Sequence, residues 1–152
     1  MRLRTEIDEN GEEEIVIRAR VCDESLMRLQ AAVARAIGGR SELRLTLGNN
    51  EYFVPSTEIL FFETMEERTA AHLPEKMLYT DYRLYELEKI LPDSFVRVSK
   101  SCLVNSAAVL SIARNLTGAS ELRFRGCGKK TYVSRKYYKD LIERIEEMRL
   151  KK

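Results

Sequence analysis

Leu84-Tyr85-Glu86-Leu87-Glu88-Lys89-Ile90-Leu91-Pro92, then Phe95-Val96-Arg97-Val98-Ser99-Lys100-Ser101-Cys102-Leu103-Val104-Asn105, is the stretch on which the fold turns. Its first half places Leu84, Leu87, Ile90 and Leu91 on the inner face of a short helix. Asp81 is the expected N-cap, and Pro92 the stop. Its second half is β: residues 95–98 form a strand, and residues 101–104 continue it or begin the next. Phe95, Val98 and Val104 are candidate core residues. Asn105 can bond the backbone and hold a turn where the chain leaves its strand. Arg97 reads as a buried or half-buried ion-pair partner of Glu63 or another carboxylate, in preference to a base contact.

Working towards the N-terminus, Ile59-Leu60-Phe61-Phe62 between Glu58 and Glu63 is short enough for a buried strand. Thr64-Met65-Glu66-Glu67-Arg68 reads as a polar loop. Residues 69–73 and 76–79 flank Pro74-Glu75 as a hairpin. Leu43, Leu45 and Leu47 alternate with polar residues, Gly48-Asn49-Asn50 turns the chain, and residues 51–54 return. The first forty residues read as strand, strand, helix. Leu3, Thr5 and Ile7 alternate with charged residues, and Asp8-Glu9-Asn10-Gly11 is a hairpin turn signal. Ile15, Ile17 and Ala19 return, and Asp23 caps a helix with the stripe Leu26, Leu29, Val33 and Ile37. Gly38-Gly39 ends that helix.

Towards the C-terminus, residues 109–112 and 122–124 are strands joined by a loop with Asn115 and Gly118. Gly126-Cys127-Gly128-Lys129-Lys130 is a basic turn. Thr131-Tyr132-Val133 leads to Ser134, the expected cap of a closing helix that buries Tyr138, Leu141, Ile142, Ile145 and Met148. The fold class is therefore mainly β within an α+β chain: small antiparallel sheets, short helices and a C-terminal helix. Residues 1–42 form a β-β-α extension, and residues 43–152 form the main domain.

The 152 residues carry a net charge of only +2, but unevenly. Residues 96–152 hold 14 basic and 5 acidic side chains, a net +9, against −5 for residues 43–95 and −2 for residues 1–42. Such a directional face suits phosphate. Hydrophobic residues at 44% exclude a disordered chain. No apolar run approaches the ~20 residues of a membrane helix, and the N-terminus lacks the apolar segment of a signal peptide. Three separated cysteines and one histidine build no disulfide framework and no zinc site. The expectation is a reduced, cytoplasmic protein with no cofactor and no metal.

A catalytic constellation cannot be assembled. His72, in Ala70-Ala71-His72-Leu73, reads as structural. Cys102 reads as a small core residue. The glycine-lysine turn lacks the Gly-Lys-Ser/Thr ending of a phosphate-cradling loop and opens a strand. Residues 63–67 lack the spacing of a calcium loop.

Residues 59–141 resemble the LytTR family of bacterial DNA-binding domains. Three features carry the resemblance: Glu58-Ile59-Leu60-Phe61-Phe62-Glu63, the stretch from Leu84 to Asn105 quoted above, and Val133-Ser134-Arg135-Lys136-Tyr137. It implies an elongated stack of small antiparallel sheets whose loops enter successive major grooves of DNA. It also implies three reading places: Glu67 and Arg68 in the loop after the buried strand, Lys100 before Ser101, and Arg135 and Lys136 after Ser134. Lys100, Arg135 and Lys136 can donate to guanine or phosphate, and Ser134 with the first helical amides suits phosphate. Thr64 and Ser99 could add hydroxyl contacts. The acidic first loop departs from a DNA-facing pattern. Glu67 could accept from cytosine N4, or point away and leave Arg68 as the contact. Lys129 and Lys130 are phosphate contacts or solvated hairpin residues.

Many family members carry an N-terminal receiver domain, and about 42 residues are too few for one. The expectation is a stand-alone transcriptional regulator of double-stranded promoter DNA, a homodimer, controlled by a partner protein, self-association or expression level. The stripe at Leu26, Leu29, Val33 and Ile37 either joins two copies or covers the chain's own sheet. The alternative is an RNA-binding or protein-interaction module, although no aromatic-rich strand for stacking RNA bases is present.

Overall fold

Asp23 opens the first helix, α1 (Glu24–Ala36), by accepting a hydrogen bond from the Leu26 N–H at 2.9 Å. The computed structural model describes residues 2–36 and 42–150; the expected helix end at Ile37, Gly38 and Gly39 lies outside them. The chain divides into two compact units, one up to Val33 and one from Ala34 onward. In the first, the turn at Asp8 forms, with Gly11 N–H donating to the Asp8 carbonyl at 3.2 Å. The strands expected at Leu3–Thr5–Ile7 and Ile15–Ile17–Ala19 do not: residues 2–20 contain no strand. A two-stranded hairpin has too little buried surface to hold alone, so the β-β part of the extension is corrected to an unpaired segment with one turn.

In the second unit, β1 (Glu42–Leu47) and β2 (Asn50–Pro55) form the expected hairpin, with Leu47 opposite Asn50. Gly48 at φ 61° occupies the left-handed region that this two-residue turn requires. After a single 3₁₀ turn, Ser56–Glu58, come β3 (Phe61–Met65), β4 (Arg68–His72) and β5 (Met77–Thr80). The strand expected over residues 59–62 thus begins two residues later and runs to Met65. Only Glu66 and Glu67 remain as a turn, because Thr64 pairs with Thr69 and Met65 with Arg68. Glu66 sits at φ 47° without being glycine, a conformation that costs roughly 1–2 kcal/mol.

The short helix α2 (Leu84–Ile90) starts at Arg83, not Asp81. The Glu86 carboxylate accepts from the Arg83 N–H at 3.0 Å and supplies the cap three residues downstream of it. Leu84, Leu87 and Leu91 are buried as expected, but Ile90 is 43% exposed and leaves the inner face. A helix of two turns presents only a narrow stripe, which the two leucines fill.

Strands β6 (Phe95–Ser99) and β7 (Cys102–Asn105) are two strands joined by the turn Lys100-Ser101. A second 3₁₀ turn leads to β8 (Val109–Ala113), β9 (Ser120–Phe124), β10 (Lys130–Val133) and the closing helix α3 (Arg135–Leu150). All strand pairings among the described residues are antiparallel. One sheet has the order β2-β1-β5-β4-β3-β7-β6, and the other β10-β9-β8. Adjacent residues on β3 serve opposite faces, as period-2 geometry demands. Phe62 joins Leu84, Leu87, Leu91, Phe95 and Leu103 in one core. Phe61 joins Val98, Val104, Leu122, Phe124 and Leu141 in the other, against which Tyr137, Tyr138 and Ile145 of α3 also pack. Asn105 does what its position implied: its amide donates to the Ile59 carbonyl at 3.1 Å and its oxygen accepts from the Ala107 N–H at 3.2 Å.

Candidate nucleic-acid interface

Strand order brings three segments that are distant in the chain to one end of the larger sheet. The Glu66-Glu67 turn closes β3 and β4, and Lys100-Ser101 closes β6 and β7. Because β3 and β7 are neighbours, the two turns adjoin: the Thr64 N–H donates to the Ser101 carbonyl at 2.9 Å. The start of α3 is tied to the same end, since the Ser134 N–H donates to the Val98 carbonyl at 2.8 Å. Glu67, Lys100, Ser134, Arg135 and Lys136 therefore share one end. Arg68 is there too, but its guanidinium donates to Thr46 at 3.0 Å and lies 4.7 Å from the Tyr79 ring centre.

Lys129 and Lys130 are not brought to that end. The Lys129 ammonium donates to the carbonyl of Lys76 at 2.9 Å, in the turn between β4 and β5 at the opposite end. Lys130 lies 3.8 Å from the Glu121 carboxylate, at the start of β10, about 13 Å of strand from Ser134.

The turn that carries Lys100 is held from below. Arg97 donates through Nε to Glu88 on α2 at 2.7 Å, and through Nη1 to the Lys100 carbonyl at 2.7 Å. Arg97 is thus the ion-pair residue expected, with Glu88 as partner in place of Glu63, and it acts as a positioning residue for Lys100. Sequence reasoning missed this relay, because the contact joins a helix to a strand edge. Ser99, a candidate phosphate contact, also shapes the turn: its Oγ accepts from the Ser101 N–H at 3.2 Å.

The electrostatics single out the same end. In residues 96–150 most described cations are occupied. Arg97 pairs with Glu88, Arg123 and Lys130 with Glu121, Lys139 with Glu143 and Arg144 with Glu147. Arg125 donates to the Ala107 carbonyl, and Arg114 lies over the Tyr138 ring. Among the described residues, Lys100 and Arg135 have no such partner, and Lys136 lies 5.5 Å from the ring of its neighbour Tyr137. The first turn of α3 contains no acidic side chain. Its opening N–H groups lack partners within the helix, and the helix dipole disfavours cations there. An anion on this end meets both conditions.

His72 belongs to a different part of the molecule. Its ring stacks on Phe61 with centroids 4.2 Å apart, and Nε2 lies 2.7 Å from the Glu63 carboxylate. Burial pushes the imidazole below its ordinary value, against the pull of Glu63. The unfolded chain consequently binds the proton more readily than the folded one. Stability contributed here is present above about pH 6.5 and falls as pH drops through the lowered folded value. His72→Asn is expected to flatten the loss of stability between pH 7.5 and 5.5 and to leave DNA affinity at neutral pH unchanged. Urea unfolding at both pH values checks this; equal slopes for the two proteins would refute it. Burial pushes the Cys102 thiol up to about 12, as befits a core residue. Among the described residues no cluster of His, Cys, Asp and Glu could hold a metal ion, and no helix is long and apolar enough to cross a membrane.

One turn and a helix start carry cations without carboxylate partners among the described residues, at the end of the sheet where the Glu66-Glu67 turn also lies. The sequence profile of the LytTr DNA-binding domain matches residues 49–146, and the chain belongs to the LytTR family. In the solved structure of the LytTr DNA-binding domain of a Bacillus cereus protein, described as a methyl-accepting/DNA response regulator, the backbone superposes with a TM-score of 0.62 at 26% identity. That match covers 68% of this chain and 98% of the Bacillus domain. Uncharacterized HTH-type transcriptional regulators of Staphylococcus aureus strains RF122 / ET3-1 and NCTC 8325 / PS 47 are 29% identical over 94 residues. The match covers 62% of this chain and 63% of each relative's length. Strands separate all three helices here, so among the described residues no helix-turn-helix is formed. The family is a DNA-binding domain and not a class of enzyme.

Proposed function

We propose that this chain is a sequence-specific transcriptional regulator that binds double-stranded promoter DNA through the turn end of the larger sheet. The observation that carries the reading is the convergence of Lys100, Arg135 and Lys136, cations with no carboxylate partner among the described residues, beside the opening amides of α3. Lys100 and the Arg135 and Lys136 pair donate to guanine edges or phosphate in successive major grooves. Ser134 and the first-turn amides take a phosphate. Glu67, on the adjoining turn, accepts from cytosine N4. Arg68 braces the turn against Thr46 and Tyr79, and Lys129 and Lys130 serve the far end of the fold. A single module of this size covers roughly 600–1,000 Å², so two copies occupy adjacent half-sites. A bacterial regulator of this kind works in the cytoplasm.

Binding to genomic duplex fragments is expected to weaken steeply with salt, by about 0.9 log units in affinity per log unit of salt for each phosphate neutralised. Filter binding across a salt series, with duplex DNA, structured RNA and single strands compared, tests it. A flat salt response, or equal affinity for all fragments, would sink the reading, and preference for structured RNA would replace it.

A further inference from the structure

Residues 2–8, Arg2-Leu3-Arg4-Thr5-Glu6-Ile7-Asp8, have the alternation of a strand but join no strand ladder among the described residues. Leu3 is 98% exposed and Ile7 90%. An alternating apolar segment of this kind seeks a strand edge. The chain's own return segment is a poor one. The turn from Asp8 to Gly11 sets a register in which Ile7 faces Glu12, Glu6 faces Glu13, Thr5 faces Glu14 and Arg4 faces Ile15. With Leu3 opposite Val16 and Arg2 opposite Ile17 further along, like charges oppose each other once, apolar residues meet charged ones three times, and only one pair is apolar on both sides, which is unfavourable across a ladder. The turn accordingly forms without a ladder behind it.

A second copy of the same segment is a good edge. Set two copies antiparallel about a two-fold axis at Thr5, and every position meets a complement. Arg2 faces Asp8 of the second copy, Leu3 faces Ile7, Arg4 faces Glu6, and Thr5 faces Thr5. The apolar pairs and the threonines lie on one face and the four charge pairs on the other, because strand side chains alternate. Within one chain Arg4 already pairs with Glu6; in the dimer each exchanges that neighbour for the second copy's. We infer that residues 2–8 form an isologous antiparallel strand pair that joins two copies of this protein before DNA is bound. A strand pair alone is marginal, and the half-buried Leu26, Leu29 and Val33 of α1 add apolar surface in the same unit.

This deepens the two-copy complex proposed above by naming what joins the copies. Charge reversal separates it from the intrachain alternative. In full-length protein, Arg4→Glu or Glu6→Arg alone is expected to raise the dimer dissociation constant about tenfold by sedimentation equilibrium, since each places like charges across two symmetry-related pairs. An equimolar mixture of the two variants is expected to return to within about threefold of the natural protein, because opposite charges again face each other across the pair. An effect confined to the chain's own Arg4 and Glu6 gives no rescue on mixing. Thr5→Cys in a Cys22→Ser background is expected to oxidise to a linked dimer, since directly opposed Cβ atoms lie within disulfide reach. A monomeric natural protein, single variants without effect, or a mixture as weak as its components overturns the proposal; a dimer that does not cross-link at position 5 overturns its register. Affinity for a single half-site fragment, measured alongside, is expected to be unchanged in both charge variants. Loss of half-site binding in the natural protein would count against the DNA reading alone.

Discussion

Alanine at Lys100, or at Arg135 and Lys136 together, is expected to cost ~1–3 kcal/mol of affinity for the cognate duplex, about five- to 150-fold. The size follows from what these groups lack: among the described residues none has a carboxylate to compensate its charge, so in the complex proposed above a DNA phosphate or guanine edge supplies that compensation. If they read bases, each variant also relaxes preference at one base position. If they hold only phosphate, affinity falls alike for all sequences and the salt slope drops by about one per contact. The helix dipole adds a second, opposite signature. Arg135 and Lys136 open α3, where cations are unfavourable by ~0.3–1 kcal/mol. Their double replacement should therefore leave the free protein as stable or slightly more so while DNA binding weakens. Arg123→Ala is the control: Arg123 pairs with Glu121 at 2.8 Å near the far end of β9. Binding selections and thermal unfolding on the same variants decide the matter. If the Lys100 and double variants bind DNA as the Arg123 variant does, the interface is elsewhere.

Phe62→Ala is expected to destabilise the fold by ~3–5 kcal/mol, against a total of ~5–15 kcal/mol for a domain of this kind. Phe62 is fully buried on a central strand, packed among the α2 leucines with its ring 5.8 Å from that of Phe95. A strand flanked on both edges cannot relax into the space left behind. The functional consequence is indirect. Strand β3 carries the Glu66-Glu67 turn and the Thr64 bond to Ser101, so loosening it separates two of the three segments at the end proposed to bind DNA. Urea unfolding gives the stability change, and a value below about 1 kcal/mol would mean that the larger core does not rest on this residue. Phe62→Leu, closer in volume, should cost much less.

Several features are legible in the amino-acid sequence because each depends on residues close in the chain. Leucines two apart set β1, and Gly48 its turn. Asp23 caps α1 through its own backbone neighbours, and Leu84 with Leu87 marks the inner side of α2. Ser134 marks the start of α3. The family resemblance lies in the same local runs, together with the positions of Lys100, Arg135 and Lys136. Where local signals compete, residue type alone misleads. Asp81 is a better capping residue than Arg83 by type, but Glu86 supplies the cap to Arg83 from within the helix. The alternation at Leu3 and Ile7 is a real strand signal, but strand pairing needs an edge, and its own hairpin register opposes Glu6 to Glu13.

By itself, the amino-acid sequence determined the β-rich class, the three helices, the uneven charge and the family to which the chain belongs. Only the tertiary structure decided which cations are free. Arg97 goes to Glu88 and Glu63 to His72, Lys129 crosses to the Lys76 carbonyl, and Lys100 is left without a carboxylate among the described residues, beside the start of α3. The physical reason is that ion-pair partners and shared sheet ends follow from strand order. Strand order is set by which apolar faces can be buried together, a competition among segments tens of residues apart that no local pattern records.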